Sequence, residues 1–424
     1  MARRGRAAVT GMGAVTPLGP SLSTSWPRLV AGDIAIDWIS AWNAYTFPVQ
    51  IAAEVRAERT EPALDEEWVG PHRLDRRVRF AFQAAGEAWA AAGLDAAPPD
   101  PARTGISVGA EAGRKLLQKV AADFARWRHL ETLEPVVPHI DPFDYPRLQP
   151  WAPTRLLARR FDIRGPARTS STACTSGSQA LGRGLQMLRR GHADVVLAGG
   201  TDALIEAFMV TGFALVGALS ERNDDPRGAS RPFDKDRDGF VLAEGAGFVV
   251  LETEEHARAR GAPILGWLDG YGSSLNAFRI TDSPPDGSGA YQAMRDALLD
   301  AGIEPTEVEY INAHGTSTLM NDVSETRAIK RAFGEHAYEL AVSSNKGQMG
   351  HLVAAAGAVE AVYTWQAMRE GVLPATANFE TPDPDCDLDY IPQQAREQQV
   401  DRAVSNSFGF GGSNASLVLS RGES

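Results

Sequence analysis

The sequence predicts an α/β fold assembled from duplicated βα halves. Three observations carry this. Strand-like and helix-period runs alternate through the second half of the 424-residue chain: helix 288–302, strand 308–312, helix 322–333, strand 340–344, helix 351–370 and a last strand 414–420. Gly177, Gln186, Arg189 and Gly191 recur as Gly357, Gln366, Arg369 and Gly371, each 180 positions later. Both helical stretches follow a Ser-Ser pair, Ser170-Ser171 and Ser343-Ser344. Two such halves, 1–253 and 254–424, packed back to back bring both helix starts to one central site.

Composition bounds the function. Hydrophobic residues make up 43% of the chain and charged residues 23%, an ordinary globular balance with a core of good size. The net charge of −12 argues against nucleic acid as the main partner. Cys174 and Cys386 are the only cysteines, with no zinc spacing and no disulfide framework, so a reducing, cytoplasmic setting is expected. No apolar run reaches the ~18 residues of a membrane-spanning helix. Arg3-Arg4-Gly5-Arg6 ahead of an apolar stretch looks superficially like a signal peptide. Thr10, Gly11, Gly13, Thr16 and Pro17 break that stretch, and a first strand and turn fits better.

Taken in order, Ala7-Ala8-Val9-Thr10 forms a strand running into Gly11-Met12-Gly13. This is not a dinucleotide loop: the third glycine is missing and Pro17 follows where a helix would start. A turn at Thr16-Pro17-Leu18-Gly19 leads to a short helix near 23–31, with Pro27 near its first turn. Residues 32–70 are expected to be loop and short strands. From 73 to 92, Val78, Phe82, Ala85 and Trp89 recur at helical spacing, and Gly93 ends the run. Arg73, Arg76, Arg77 and Arg79 form either the solvated face of that helix or a dock for an acidic partner. A strand follows at 105–109. Residues 111–152 hold five prolines with Trp127, Phe143, Tyr145 and Trp151, and are expected to shape a pocket or a subunit contact. A buried strand at 193–198 ends in Gly199-Gly200. Asp234-Lys235-Asp236-Arg237-Asp238-Gly239 matches the start of a calcium loop. Gly245, however, occupies the twelfth position, which needs a bidentate Glu, and a strand stands where the exit helix should be, so a charged turn is expected.

The chemistry centres on Ser170-Ser171-Thr172-Ala173-Cys174-Thr175-Ser176-Gly177-Ser178. Leu181, Leu185 and Leu188 place an amphipathic helix after it, so a turn delivers Cys174 to a helix start. Main-chain N–H groups and the helix dipole there favour thiolate over thiol, as a nucleophile needs. The alternative is a buried cysteine serving as a small hydrophobe. Three further stretches lie at strand ends: Asn312 to Thr318 with His314; Ser343 to His351 with Lys346; and Ser405 to Asn414. The glycines of the last admit close backbone approach, and Phe408 and Phe410 there are suited to covering an acyl pocket. Residues beyond strand C-termini line the site in open α/β sheets. Singly, each has a structural explanation; together they point to one site. One cysteine and two histidines without a metal pattern fit thioester chemistry, in which the thiolate accepts an acyl group and two neutral imidazoles donate N–H bonds to an enolate oxygen. A Cys/His hydrolase would need one histidine as base and an orienting Asn or Asp. Cys386, among Asp383, Asp385, Asp387 and Asp389, is taken as structural, because carboxylates raise a thiol's pKa.

Over nearly its whole length the chain resembles the β-ketoacyl-(acyl carrier protein) synthases, condensing enzymes of the thiolase fold. The resemblance rests on Val9-Thr10-Gly11 to Pro17-Leu18-Gly19, Thr172 to Gly177, Leu219-Ser220, Arg231-Pro232-Phe233-Asp234, Asp238 to Val241, His314 to Thr318, Gly350-His351 and Asn406 to Asn414. The elongating Cys-His-His subgroup is the one resembled, not the initiating Cys-His-Asn one. This implies a five-layered αβαβα core, usually homodimeric. It implies decarboxylative Claisen condensation of an acyl group on Cys174 with malonyl-acyl carrier protein, giving β-ketoacyl-acyl carrier protein and CO2, in fatty acid or type II polyketide biosynthesis.

The implied roles are Cys174 as nucleophile, His314 and His351 in decarboxylation and enolate binding, Lys346 in their support and Glu325 as a structural carboxylate. The N–H groups of Cys174 and Phe410 make the oxyanion hole, Phe410 with Phe408 the gate, and Thr316 and Thr318 bind the phosphopantetheine arm. No cofactor or metal is implied beyond that arm. The implied partner is an acidic acyl carrier protein, with Arg73, Arg76 and Arg77 as its expected dock. Departures from the family pattern at 111–152, and Gly347-Gln348-Met349 after Lys346, point to a specialised-metabolite pathway and a heterodimer with a chain-length-factor-like subunit. A non-condensing acyltransferase and a chain-length-factor-like subunit are the alternatives; Cys174 argues against the second, and product analysis separates the first.

Overall fold

The first strand, Ala7–Val15, shifts register between Val9 and Gly11, continues through Gly11 and Gly13 and is longer than the four residues expected. Those glycines serve packing, not a turn. A Cβ on Gly11 would lie 2.0 Å from Ala88 O, and one on Gly13 2.2 Å from Ala84 O. Their bare backbone lets the helix Arg76–Ala91 lie close against the strand. The strand Val195–Ala203 likewise continues through Gly199 and Gly200, where a Cβ would meet Gly247 O at 2.2 Å and Ala354 O at 2.6 Å. A glycine in a strand marks close approach of another backbone as readily as an end. The computed structural model describes residues 5–56, 75–113 and 148–423. Most of 111–152, with its predicted pocket or subunit contact, therefore lies outside the described residues.

Among the described residues, ten strands form one mixed sheet, in the order Ala341–Ser343, Tyr310–Asn312, Arg402–Phe408, Ser413–Arg421, Gly266–Leu275, Ala7–Val15, Glu244–Thr253, Val195–Ala203, Thr104–Ala110 and Ala167–Ser170. They divide into two sets of five. Numbered along the chain and read from the outer edge inward, each set has the order 3-2-4-5-1. Each set pairs parallel through 3-2-4 and antiparallel through 4-5-1. The two first strands meet antiparallel at a short seam, Ala7 opposite Leu268, Ala8 opposite Trp267 and Val9 opposite Gly266. The duplication suggested by four recurring residues is thus a repeated topology.

Helices complete five layers. Arg76–Ala91 and Ala152–Arg160 cover the outer face of the first set, and Ser288–Ala301 with Leu319–Phe333 stacked against it covers the second. Between the two sets lie Ser176–Arg189 and Ala356–Glu370, which follow the third strand of each set and pack on each other. The duplicated glycines are their contact: a Cβ on Gly177 would lie 2.7 Å from Ala358 N, and one on Gly357 2.1 Å from Ser178 Oγ. Ala356–Glu370 is buried on almost every side, which is why its sequence carries little polar stripe.

One sequence expectation needs adjusting. The helix expected at 351–370 starts only at Ala356, because Val353 takes a left-handed φ of 47° and Val353–Ala355 forms a separate 3-10 turn. The segment 234–239 is a charged turn, as expected. The Asp234 carboxylate accepts the N–H groups of Asp236, Glu380 and Thr381 at 2.9, 2.7 and 2.6 Å and pairs with the Arg231 guanidinium at 3.6 Å. No helix among the described residues is long and apolar enough to cross a membrane.

Candidate active site

Four strand ends converge on one cleft. Cys174 follows Ala167–Ser170, His314 follows Tyr310–Asn312, Lys346 and His351 follow Ala341–Ser343, and Phe410 follows Arg402–Phe408. The cleft has a volume of about 220 Å³ and is lined by Cys174, His314, His351, Thr316, Thr318, Phe408 and Phe410. All these residues were expected from the sequence to share a site, and the fold brings them together. Thr316 and Thr318 lie on the wall with their hydroxyls 2.9 Å apart.

Cys174 sits just ahead of the helix Ser176–Arg189, whose N-cap is Thr175. Ala173 before it has φ 51°, a left-handed conformation costing a non-glycine residue roughly 1–2 kcal/mol. His351 Nε2 lies 2.9 Å from Cys174 Sγ. The His314 ring stands edge-on to His351, centroids 5.3 Å apart, and edge-on to Phe408 at 5.6 Å. Phe240 closes the other side of His351 at 5.2 Å. The sulfur and one ring nitrogen of each histidine lie within 4.8 Å of one another. That is the compass of a three-ligand metal site, but the surroundings do not suit one. Metal-binding histidines usually donate their other N–H to a carboxylate or carbonyl, and Nδ1 of both His314 and His351 has no partner among the described residues.

Buried carboxylates hold the His314 loop by its main chain. Glu325 accepts the N–H groups of His314 and Gly315 at 2.9 and 2.8 Å and the Asn406 amide at 3.1 Å. Asp322, one turn earlier on the same helix, accepts those of Thr316 and Ser317 at 3.1 and 3.2 Å. Lys346 Nζ donates to His314 O at 2.7 Å and forms a fully buried ion pair with Glu360. Asp322, Glu360 and Phe240 were not singled out from the sequence. Asp322 and Glu325, spaced i, i+3 directly after the His314 loop, were the signal available for the first. Glu360 stands within an apolar helix, where a charged residue needs a partner.

The electrostatics correct one expectation. A stabilised thiolate was expected at the helix start. Burial instead pushes the Cys174 thiol up to about 12, against the opposing pull of Lys346 and of a hydrogen bond from the Phe410 N–H. Desolvation of the sulfur outweighs the donors around it. The thiol is then the resting form, and its proton must leave as it attacks, with His351 in contact to take it. Burial, reinforced by Lys346, holds both histidines well below the usual imidazole value of 6.5. Both are neutral at pH 7.

The expected dock is also corrected. Arg77 is buried and bonded to Asp75 and to Glu111 O, while Arg76 is half-buried and tied to Val55 O and Glu244. Their side chains turn inward to carboxylates and carbonyls, so these two are structural; Arg73 lies outside the described residues. Cys386 is buried, and burial with the neighbouring Asp322 pushes its thiol up to about 12, in keeping with a structural residue.

Comparison with known proteins gives a consistent result. Residues 5–257 match the family model of the beta-ketoacyl synthase N-terminal domain, and residues 265–380 that of the C-terminal domain. A curated relative, 3-oxoacyl-[acyl-carrier-protein] synthase 2 of Coxiella burnetii, is 43% identical over 417 residues, 98% of each chain. Among solved structures, a type II polyketide ketosynthase in complex with its acyl-carrier protein and bound to the hexaketide superposes with a TM-score of 0.88 at 32% identity, over 99% of each chain. The ishigamide ketosynthase/chain length factor superposes with a TM-score of 0.86 at 32% identity, again over 99% of each chain.

Proposed function

The chain belongs to the beta-ketoacyl synthase family, and we propose that it extends acyl chains by decarboxylative condensation with malonyl-acyl carrier protein, using Cys174 as nucleophile. The observation that carries this is the contact of His351 Nε2 with Cys174 Sγ at 2.9 Å, with His314 alongside in the same cleft. The thiol attacks the carbonyl of an acyl carrier thioester and its proton passes to His351. The carbonyl oxygen, negative in the tetrahedral intermediate, lies against the N–H groups of Cys174 and Phe410. Collapse expels the carrier thiolate, which takes up the proton.

Malonyl carrier protein then enters along Thr316 and Thr318. Its carboxylate leaves as CO2, and the electron pair moves into an enolate whose oxygen accepts an N–H bond from His314 and, once His351 has shifted to its Nε2–H tautomer, a second from His351. The enolate carbon attacks the acyl thioester, and Cys174 leaves as a thiolate that takes one proton from water to return to the thiol. Neutral imidazoles suit this role, since each keeps an N–H to donate without holding the enolate as a tight ion pair. Lys346 holds the His314 loop and sets a positive charge behind it. Nothing in this sequence calls for a metal or a cofactor beyond the carrier's own arm.

Three finer assignments belong to the same proposal. The halves are 1–253, carrying the nucleophile, and 254–424, carrying both histidines. The partner is an acyl carrier protein. The assembly is a dimer, either of this chain or with a chain-length-factor-like subunit; the strand Ala167–Ser170, unpaired on its outer edge among the described residues, supports such a contact. The free state of both cysteines accords with the cytoplasm.

The test is product analysis. Purified protein given acyl and malonyl carrier thioesters yields a carrier-bound β-keto chain two carbons longer, with one CO2 per extension. Acyl exchange between carriers with no CO2 would instead make the chain a non-condensing acyltransferase.

A further inference from the structure

The turn that carries Cys174 is gripped by a carboxylate that the steps above do not use. Glu111 lies just beyond the strand Thr104–Ala110, whose parallel neighbour Ala167–Ser170 leads into that turn. Glu111 Oε1 accepts the Ala173 N–H at 2.9 Å and lies 3.3 Å from Ser176 Oγ; Oε2 accepts the Ser171 hydroxyl at 2.8 Å. Ser176 Oγ closes the turn from inside, lying 2.7 Å from Ala173 O and accepting the Thr172 N–H at 2.8 Å. One side chain so spans the turn from Ser171 to Ser176. Its main-chain grip is on Ala173, the residue with left-handed φ. Such a conformation in a non-glycine residue persists only where the surroundings hold it. Glu111 is itself held, because buried Arg77 bonds to its carbonyl oxygen and to Asp75.

We propose that Glu111 is a positioning residue for acyl transfer: its carboxylate fixes the 171–176 turn so that the Cys174 sulfur faces His351 and the incoming thioester. This rests on Cys174 being the nucleophile. Among the described residues, the charged and titratable groups that bear on that sulfur are Lys346, His351 and His314 from the second half and Glu111 and Asp202 from the first. Lys346 favours the thiolate; Glu111 and Asp202 oppose it. Glu111 thus has two separable effects, a grip on the turn and a charge beside the sulfur.

Two variants separate them. Glu111→Gln keeps an acceptor for the Ala173 N–H and removes the charge; Glu111→Ala removes both. The readouts are the rate of Cys174 alkylation by iodoacetamide between pH 7 and 10, followed by peptide mass, and the rate of acyl loading from an acyl carrier thioester. In Glu111→Gln the alkylation profile moves to lower pH by about half a unit, so alkylation at a given pH is about threefold faster, while loading persists. In Glu111→Ala loading falls about tenfold or more. An unmoved alkylation profile in Glu111→Gln overturns the proposal, as does wild-type loading in Glu111→Ala. If Glu111→Ala does not fold, the Glu111→Gln profile decides alone. Label or acyl group still found on a Cys174→Ala control would instead strike the nucleophile assignment, a distinguishable failure.

Discussion

Replacing His351 with alanine slows acyl loading of Cys174 by about 10²–10⁴-fold, the usual contribution of a positioned general base. The reason is the state of the sulfur. Burial pushes the thiol up to about 12, so almost no thiolate exists at pH 7, and the proton must move during attack. His351 is the imidazole in contact with Sγ. His314 belongs to the second step: its ring faces His351 across the cleft and its loop is fixed by Glu325. In His314→Ala, loading from an acyl carrier thioester therefore continues, while decarboxylation and extension fall by about 10²–10³-fold, the cost of losing one oxyanion donor. Single-turnover intact mass for loading and CO2 release for extension separate the two. Loading at the wild-type rate in His351→Ala, or loading and extension lost together in folded His314→Ala, would refute this division of labour.

Lys346→Met is expected to destabilise the fold by about 3–5 kcal/mol, because it strands Glu360 as a buried carboxylate without its counter-charge. Both side chains are 1% exposed. Burial already raises the Glu360 carboxyl, and Lys346 is the opposing influence. The same substitution frees His314 O, which Lys346 Nζ holds at 2.7 Å, so extension falls in whatever protein remains folded. The double variant Lys346→Met/Glu360→Leu recovers most of the stability without the activity, since an apolar pair of similar size often replaces a buried ion pair at little cost. Denaturant unfolding of wild type, single and double variants measures this. A single variant within 1 kcal/mol of wild type would mean that the ion pair is not what holds the histidine loop.

The duplicated architecture was legible in the sequence because both central helices must cross closely, and only glycine permits it. Gly177 and Gly357 are the residues that touch, and they are also the residues that recur. Glycine misled where it stood in a strand: Gly11, Gly13, Gly199 and Gly200 looked like ends and are close contacts with neighbouring backbone. Cys174, His314, Lys346, His351 and Phe410 were legible as a site because each follows a strand. Their supports were less so. Asp322 and Glu360 act through main-chain N–H groups and a buried charge, partners that spacing does not display. Arg76 and Arg77 misled for the opposite reason. A cluster of arginines in sequence resembles a surface patch, yet Glu244 and Asp75 draw these two inward. The thiol's protonation is set by desolvation, which depends on every wall of the cleft and is written in no single motif.

The measurement that bears most directly on the account is intact mass of the protein after exposure to a panel of acyl carrier thioesters, with Cys174→Ala alongside. The account predicts one added acyl group per wild-type chain, mapped to the Cys174 peptide, and none on Cys174→Ala. That adduct should discharge, with release of CO2, when malonyl carrier protein is added. Equal acylation of wild type and Cys174→Ala, or an adduct on Cys174 that malonyl carrier protein leaves untouched, would contradict it.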